Sequence, residues 1–432
     1  MQSVDIVEKE IPAADVQLGM HVTRLDRPWT ETDFPLQGFI VRSLDDIDAI
    51  REQCQTVFIE GRVSYRERLA RKLGMKKATP EVVPQVTYIN KIAFGDELGH
   101  AMETFHQCRN LAKNILQTVR LGRVIDLNEV RPVVKGVVAS ILRNHSALLW
   151  LTQIRHKDEY TAEHSMNVCV LSAAFGKHLG LEQSELESLA LCGLLHDIGK
   201  IKVDDSVLNK PGAFTPAEFE HMKMHPVFGR QILMSVKGIE MVAIDVAHSH
   251  HERMDGKGYP RGLEQHQIPW FAKIVGIVDA YDAITGNRVY DSAKSSRQAL
   301  DIIYKCRGVQ FDDELSLEFI RFTGIYPPGS LIELSSGEIG LILESCPANR
   351  LRPRVLVVRN AEKEVCREKI LDLMALHVDD GTAITVLREW PNGSFGVDLN
   401  RYLELGLQLR QHDHASEAGE GPDIMEYFQQ TT

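Results

Sequence analysis

LLHDIGK, residues 194–200, sets two potential metal ligands side by side, His196 and Asp197, at the end of an apolar run and ahead of Gly199 and Lys200. Neighbouring helical residues point about 100° apart, so the pair can serve one site only where that site wraps around a helix end. Gly199 suits a helix end there. Outward from this stretch, ten of the seventeen histidines fall between His156 and His266. AHSHHERMDGKGYP (247–260) places His250 and His251 next to each other, before a tight loop marked by Asp255-Gly256 and Gly258-Tyr259-Pro260. Adjacent histidines aimed in different directions fit a site with more than one ion. IVGIVDAYDAITGNRVY (274–290) carries Asp279 and Asp282 at i, i+3 on one face of an apolar helix. A carboxylate buried there needs a cation or hydrogen-bond donors, so Asp279 joins the set. His164 (TAEHSMNV) and His225 (KMHPVFG) complete it.

Taken singly, each residue has a plain structural reading: His164 and His225 as ordinary helix histidines hydrogen-bonded in or near the core, Asp279 as a buried helix-end residue or ion-pair partner. Jointly, five histidines and two aspartates mix nitrogen and oxygen donors, which suits Fe, Mn or Zn better than Mg or Ca. Seven side chains exceed the needs of one four-coordinate ion. Two ions sharing Asp197 is the economical arrangement. His156, His178, His221, His248 and His266 read as surface or structural, and Cys169 and Cys192 as small core residues.

The 432 residues suggest roughly three domains. With 44% hydrophobic and 25% charged residues, the composition is globular, and no apolar run reaches the length of a membrane span. The first residues, MQSVDIVEKEIPAADV, carry acids where a signal peptide would be basic, so a cytoplasmic location is expected. Seven scattered cysteines without a CxxC pair point to reduced thiols. A net charge of −11 disfavours a nucleic-acid polymer as partner, and any anionic substrate must meet local positive charge, which metal ions supply.

Along the chain, residues 1–80 read as a small mixed α/β domain. Its strands are MHVTRL, GFIVRS and TVFIE, its helix is capped by Ser43, and ATPEVVPQ follows as linker. Residues 81–150 are that linker and helices interrupted near 121–128, and residues 151–325 form an all-α domain in which Thr215-Pro216-Ala217-Glu218 caps a helix. Residues 326–410 read as a small β-rich extension around a Ser336-Gly337 turn, and 411–432 as an acidic tail without the side chains for a core. The expected fold is thus multidomain: an all-α metal-dependent catalytic domain between a small α/β domain and a β-rich appendage.

HDIGK, HHERMDGKGYP, DAYDAITGNRVY and the later GVQFDD resemble the signatures of the HD-GYP subgroup of HD-domain phosphohydrolases, over about residues 158–322. The resemblance implies a bacterial cyclic di-GMP phosphodiesterase that yields pGpG and in some members GMP, using a di-iron or di-manganese centre. It implies metal ligands at His164, His196, Asp197, His225, His250, His251 and Asp279, and substrate contacts at Asp158, Lys200, Asp282 and Arg288. Where some members carry a glutamate for a third metal, this chain has Tyr160, which favours two ions. Asp291 stands where some members have a further substrate-binding lysine. The N-terminal segment resembles a domain of unassigned function often found before HD-GYP domains. It and the GYP loop are surfaces for protein partners, and a homodimer stays open; no membrane partner is expected.

The reaction expected is in-line attack of a metal-bridging hydroxide on the phosphodiester phosphorus, with Asp197 and Lys200 as the catalytic side chains. Two rivals remain: hydrolysis of another cyclic dinucleotide, and a silent cyclic di-GMP receptor.

Overall fold

In this computed structural model the described residues are 6–16, 20–28, 32, 34, 38–41, 44–63, 82–84, 90–154, 160–208, 210, 212–286, 294–345, 351–374 and 384–399. The Ser43 cap, the acidic tail, Asp158, Arg288 and Asp291 lie outside them, as does the side chain of Tyr160.

The N-terminal sheet is antiparallel, built from β1 (Ile6–Pro12), β2 (His21–Leu25), β3 (Phe39–Ile40), β4 (Thr56–Val63) and β5 (Val82–Pro84), with β4 between β1 and β2. Alternation in β4 turns Val57 and Ile59 inward, where they meet Val22, Val41 and Ile50, the last from α1 (Leu44–Gln53). Two strands exceed the sequence expectation. β1 alternates through the charged Glu8 and Glu10, and β5 falls inside the stretch expected to be linker. Pro84 is tolerated because β5 is an edge strand.

Two long helices follow, α2 (Phe94–Arg120) and α3 (Leu127–Leu151), broken where the sequence breaks and packed on each other. The helical domain contains α4 (Tyr160–His178), α5 (Gln183–Leu195), a 3-10 turn at Ile198–Lys202, α6 (Asp205–Leu208) and α7 (Pro216–Met222). It continues with α8 (His225–Met234), α9 (Met241–Ser249), α10 (Trp270–Thr285), α11 (Ser296–Cys306) and α12 (Asp313–Thr323). α7 starts as expected, with Thr215 Oγ1 accepting from Glu218 N and the Glu218 carboxylate accepting from Thr215 N. α4, α5 and α10 bury much of their length, polar residues included, and pack against one another, which makes them the buried centre of the domain.

The last sheet is antiparallel, in the order β10-β6-β7-β8-β9, with β6 (Leu331–Leu334), β7 (Ile339–Glu344), β8 (Arg354–Arg359), β9 (Val365–Asp372) and β10 (Val386–Trp390). Gly337, at φ +84°, makes the expected turn between β6 and β7. Among the described residues no helix is long and apolar enough to cross a membrane.

Candidate metal centre

Four helix ends build the site. His196 follows the last residue of α5 and Asp197 comes one residue later, so the chain turns between them and both side chains face the same cavity. His225 opens α8; His250 follows the end of α9, with His251 behind it. His164 comes from the first turns of α4 and Asp279 from α10. Gly199 has a role other than the expected helix cap. A Cβ there would lie 1.9 Å from His225 O and 2.3 Å from Gly229 N, so only glycine lets α8 approach the turn that carries Asp197.

The seven residues form two groups that share one member: His164, His196, Asp197 and Asp279 in the first, and Asp197, His225, His250 and His251 in the second. Asp197 faces both. Its Oδ2 lies 3.5 Å from His164 Nε2 and 3.3 Å from His196 Nε2, whereas its Oδ1 lies 3.3 Å from His225 Nε2 and 3.6 Å from His250 Nε2. Asp279 Oδ1 closes the first group at 3.1 Å from His164 Nε2.

The outer ring nitrogens show why the inner ones are available. His196 Nδ1 donates to Gly193 O at 2.7 Å, His225 Nδ1 to Met222 O at 2.7 Å and His250 Nδ1 to Val246 O at 3.1 Å. All three acceptors are carbonyls in the last turn of a helix, where intrahelical donors run out or, at Val246, leave a second lone pair open. His164 Nδ1 donates to Asp282 Oδ2 at 2.8 Å. With Nδ1 protonated, each neutral ring turns a bare Nε2 inward. His225 Nε2 and His250 Nε2 then face each other at 3.4 Å, lone pair to lone pair, beside a carboxylate oxygen. Neither His196 Nε2 nor Asp197 Oδ1, both buried, makes a hydrogen bond. Ring nitrogens and carboxylate oxygens converging in this way fit a divalent cation.

Two family models match the chain: the HD domain over residues 138–315, and a domain of unknown function (DUF3391) over residues 8–130. A cyclic di-GMP phosphodiesterase of Pseudomonas aeruginosa is 33% identical over 368 residues, which are 84% of this chain and 89% of that protein. The chain belongs to the HD-domain family of phosphodiesterases. A 3′3′-cGAMP-specific phosphodiesterase of Vibrio cholerae is 35% identical to it over 157 residues, 36% of this chain and 36% of that protein. Among solved structures, an HDG"Y"P protein from Bdellovibrio bacteriovorus is similar at 17% identity with a TM-score of 0.45, over 72% of this chain and 98% of that one.

Charge in this HD domain follows the same division into two groups. Burial opposes a proton on His164, and hydrogen bonds to Asp197, Asp279 and Asp282 outweigh it, raising the ring well above its ordinary value. His196 is buried too, and Asp197 and Asp279 lift it to about 9. Burial likewise opposes ionisation of Asp197 and Asp279. Lys200 and His196 beside Asp197, and His164 and His196 beside Asp279, nevertheless hold both carboxyls well below the usual range. In the second group burial lowers His250, and burial with the neighbouring His250 and His225 lowers His251 further. The first group thus balances its carboxylates with protons that a divalent ion would replace.

Lys200 reaches back from the 3-10 turn, and its ammonium contacts Asp197 Oδ2. Asp282, expected among the substrate contacts, is buried beside His164 and accepts the Nδ1 proton of that ring. Sequence reading missed the helix-end carbonyls that orient three histidines. The signal was present: His196 and His250 each follow an apolar helical run within reach of its last carbonyls.

Proposed function

We propose that the two groups hold two divalent transition ions, iron or manganese, and that the chain hydrolyses cyclic di-GMP to the linear dinucleotide pGpG. The observation that carries this reading is Asp197, whose two oxygens serve separate groups of inward-facing histidine nitrogens. The cyclic di-GMP phosphodiesterase of Pseudomonas aeruginosa, similar over most of its length, supports the substrate.

His164, His196, Asp197 and Asp279 would hold one ion, and Asp197, His225, His250 and His251 the other. When bound, the pair supplies a nucleophile at neutral pH and positive charge against the phosphoryl oxygens. The protein's part is arrangement. Helix-end carbonyls hold His196, His225 and His250 through Nδ1, which leaves Nε2 as the nitrogen that faces the ion. The near-complete burial of His196 and Asp197 excludes water and strengthens every charge interaction around the phosphate. Lys200, one-fifth exposed and beside Asp197, places an ammonium where charge develops on the phosphoryl group.

A second reading, hydrolysis of 3′3′-cGAMP, is favoured by the similarity to the Vibrio cholerae enzyme. The test is hydrolysis by anaerobically purified, metal-loaded protein given each cyclic dinucleotide, with products separated by chromatography. Cyclic di-GMP should be cleaved to pGpG with the higher kcat/KM. Lys200→Ala should lower that rate by about 10²–10³-fold while the ions stay bound. A preference for 3′3′-cGAMP would favour the second reading, and binding of cyclic di-GMP without cleavage would make the protein a receptor.

A further inference from the structure

We infer that Tyr259 is a positioning residue whose ring fixes His251 for the second ion, an inference that rests on the two-ion reading above. Four of the five histidines are oriented by a hydrogen bond from Nδ1. Among the described residues, no hydrogen bond to the His251 ring accompanies them. That ring is held by packing. Tyr259 lies against its face with centroids 4.7 Å apart and planes 31° apart, His225 meets it edge-on at 4.9 Å and 88°, and His250 is tilted against it at 4.1 Å. His225 and His250 are anchored by their own carbonyls, so Tyr259 supplies the remaining wall.

The loop that delivers Tyr259 is built for a fixed position. The Glu252 carboxylate accepts from Arg261 N at 2.8 Å and from Leu263 N at 2.9 Å, which ties the far side of the loop to its start. Arg253 and Asp255 form a two-pronged pair at 3.0 and 2.8 Å, and Tyr259 N donates to His251 O at 3.3 Å. Gly258 makes the fold-back possible: a Cβ there would lie 2.3 Å from Arg253 N and 2.5 Å from Glu252 Cα. Any other residue would push the loop away and carry Tyr259 off His251. On the other side, the Lys223 ammonium lies 5.9 Å from the Tyr259 ring centre, within cation–π range, and holds the ring from without. The Gly-Tyr pair thus acts through His251: the glycine permits the approach and the aromatic ring makes the contact.

The experiment compares full-length wild-type, Tyr259→Phe and Tyr259→Ala proteins loaded anaerobically with manganese(II). It counts ions per chain and measures each affinity by competition with a chelator. Wild-type and Tyr259→Phe should bind two ions alike, because the ring and not the hydroxyl makes the contact. Tyr259→Ala should keep one ion at wild-type affinity and bind the other about 10–100-fold more weakly, the usual loss when a group that orients a metal-binding histidine is removed. The retained ion shows that the variant is folded. In a His251→Ala background, Tyr259→Ala should cause no further loss, which a general destabilisation of the loop would not reproduce. The inference is overturned if Tyr259→Ala binds both ions at wild-type affinity, if Tyr259→Phe is as weak as Tyr259→Ala, or if the two losses add. Wild-type protein that never takes up a second ion overturns the two-ion reading and this inference with it.

Discussion

His164 Nδ1 donates to Asp282 while its Nε2 faces Asp197 and Asp279, so one ring joins a buried carboxylate to the first group. Removing that carboxylate should free the ring and weaken one ion only. For Asp282→Ala we expect the first-group ion to bind about 10–100-fold more weakly while the second stays in place, read by chelator competition. An Asp282→Ala protein with unchanged metal affinities and a raised KM would return Asp282 to the substrate contacts. The ligand types were legible in the sequence because His-Asp and His-His neighbours at helix ends restrict the geometry strongly. The division into groups was less so: nothing in the spacing tells which Asp197 oxygen faces which histidine, since that depends on how α4, α5, α8 and α9 cross. Gly199 was legible as special but not for its reason, because the obstacle, His225 O, lies 26 residues further along the chain.

Helices carry the strongest signal in this chain, and their boundaries followed it, as at the Thr215 capping box. α3 shows where pattern fails. Asn144, inside an unbroken helical pattern, sits at φ −153° and ψ 106°, held by Nδ2 bonds to Ile92 O at 3.0 Å and to Glu344 Oε1 at 2.8 Å. Lys177 Nζ donates to Ile141 O just before the break, at 2.8 Å. Those partners come from distant segments, so no local window could show the kink. Strands whose sequence is charged were harder still: β9, VCREKILD, exposes one face and hides its period. β10 supports a pH prediction. Burial raises the Glu389 carboxyl to about 7, against hydrogen bonds from Ser330 and the Ser296 backbone. With its folded pKa above the unfolded value of 4.5, the group favours the folded state at low pH, and this contribution fades between about pH 4.5 and 7. Thermal unfolding of the wild type should therefore show a loss of at most about 3 kcal/mol over that window. Glu389→Gln should flatten it; an unaltered pH profile in that variant would assign the effect elsewhere.

All seven residues of the two groups come after residue 160, whereas β1 to β5 and α1 form a sheet with its own core. The chain can therefore be cut, but not inside ATPEVVPQ, because β5 pairs there with β4. α2 and α3 pack on α4 and must stay with the catalytic half. A chain starting at Val86 should fold, bind two ions and hydrolyse cyclic di-GMP at the full-length rate. Loss of an ion on truncation would show that the N-terminal sheet helps to build the site. A two-ion centre in this fold depends on the carboxylate that both groups share. That dependence is tested most directly by anomalous diffraction from crystals of the anaerobically metal-loaded protein. We expect two metal peaks per chain, one among His164, His196 and Asp279 and one among His225, His250 and His251, each within bonding distance of one oxygen of Asp197. A single peak, or two peaks of which only one touches Asp197, would contradict it.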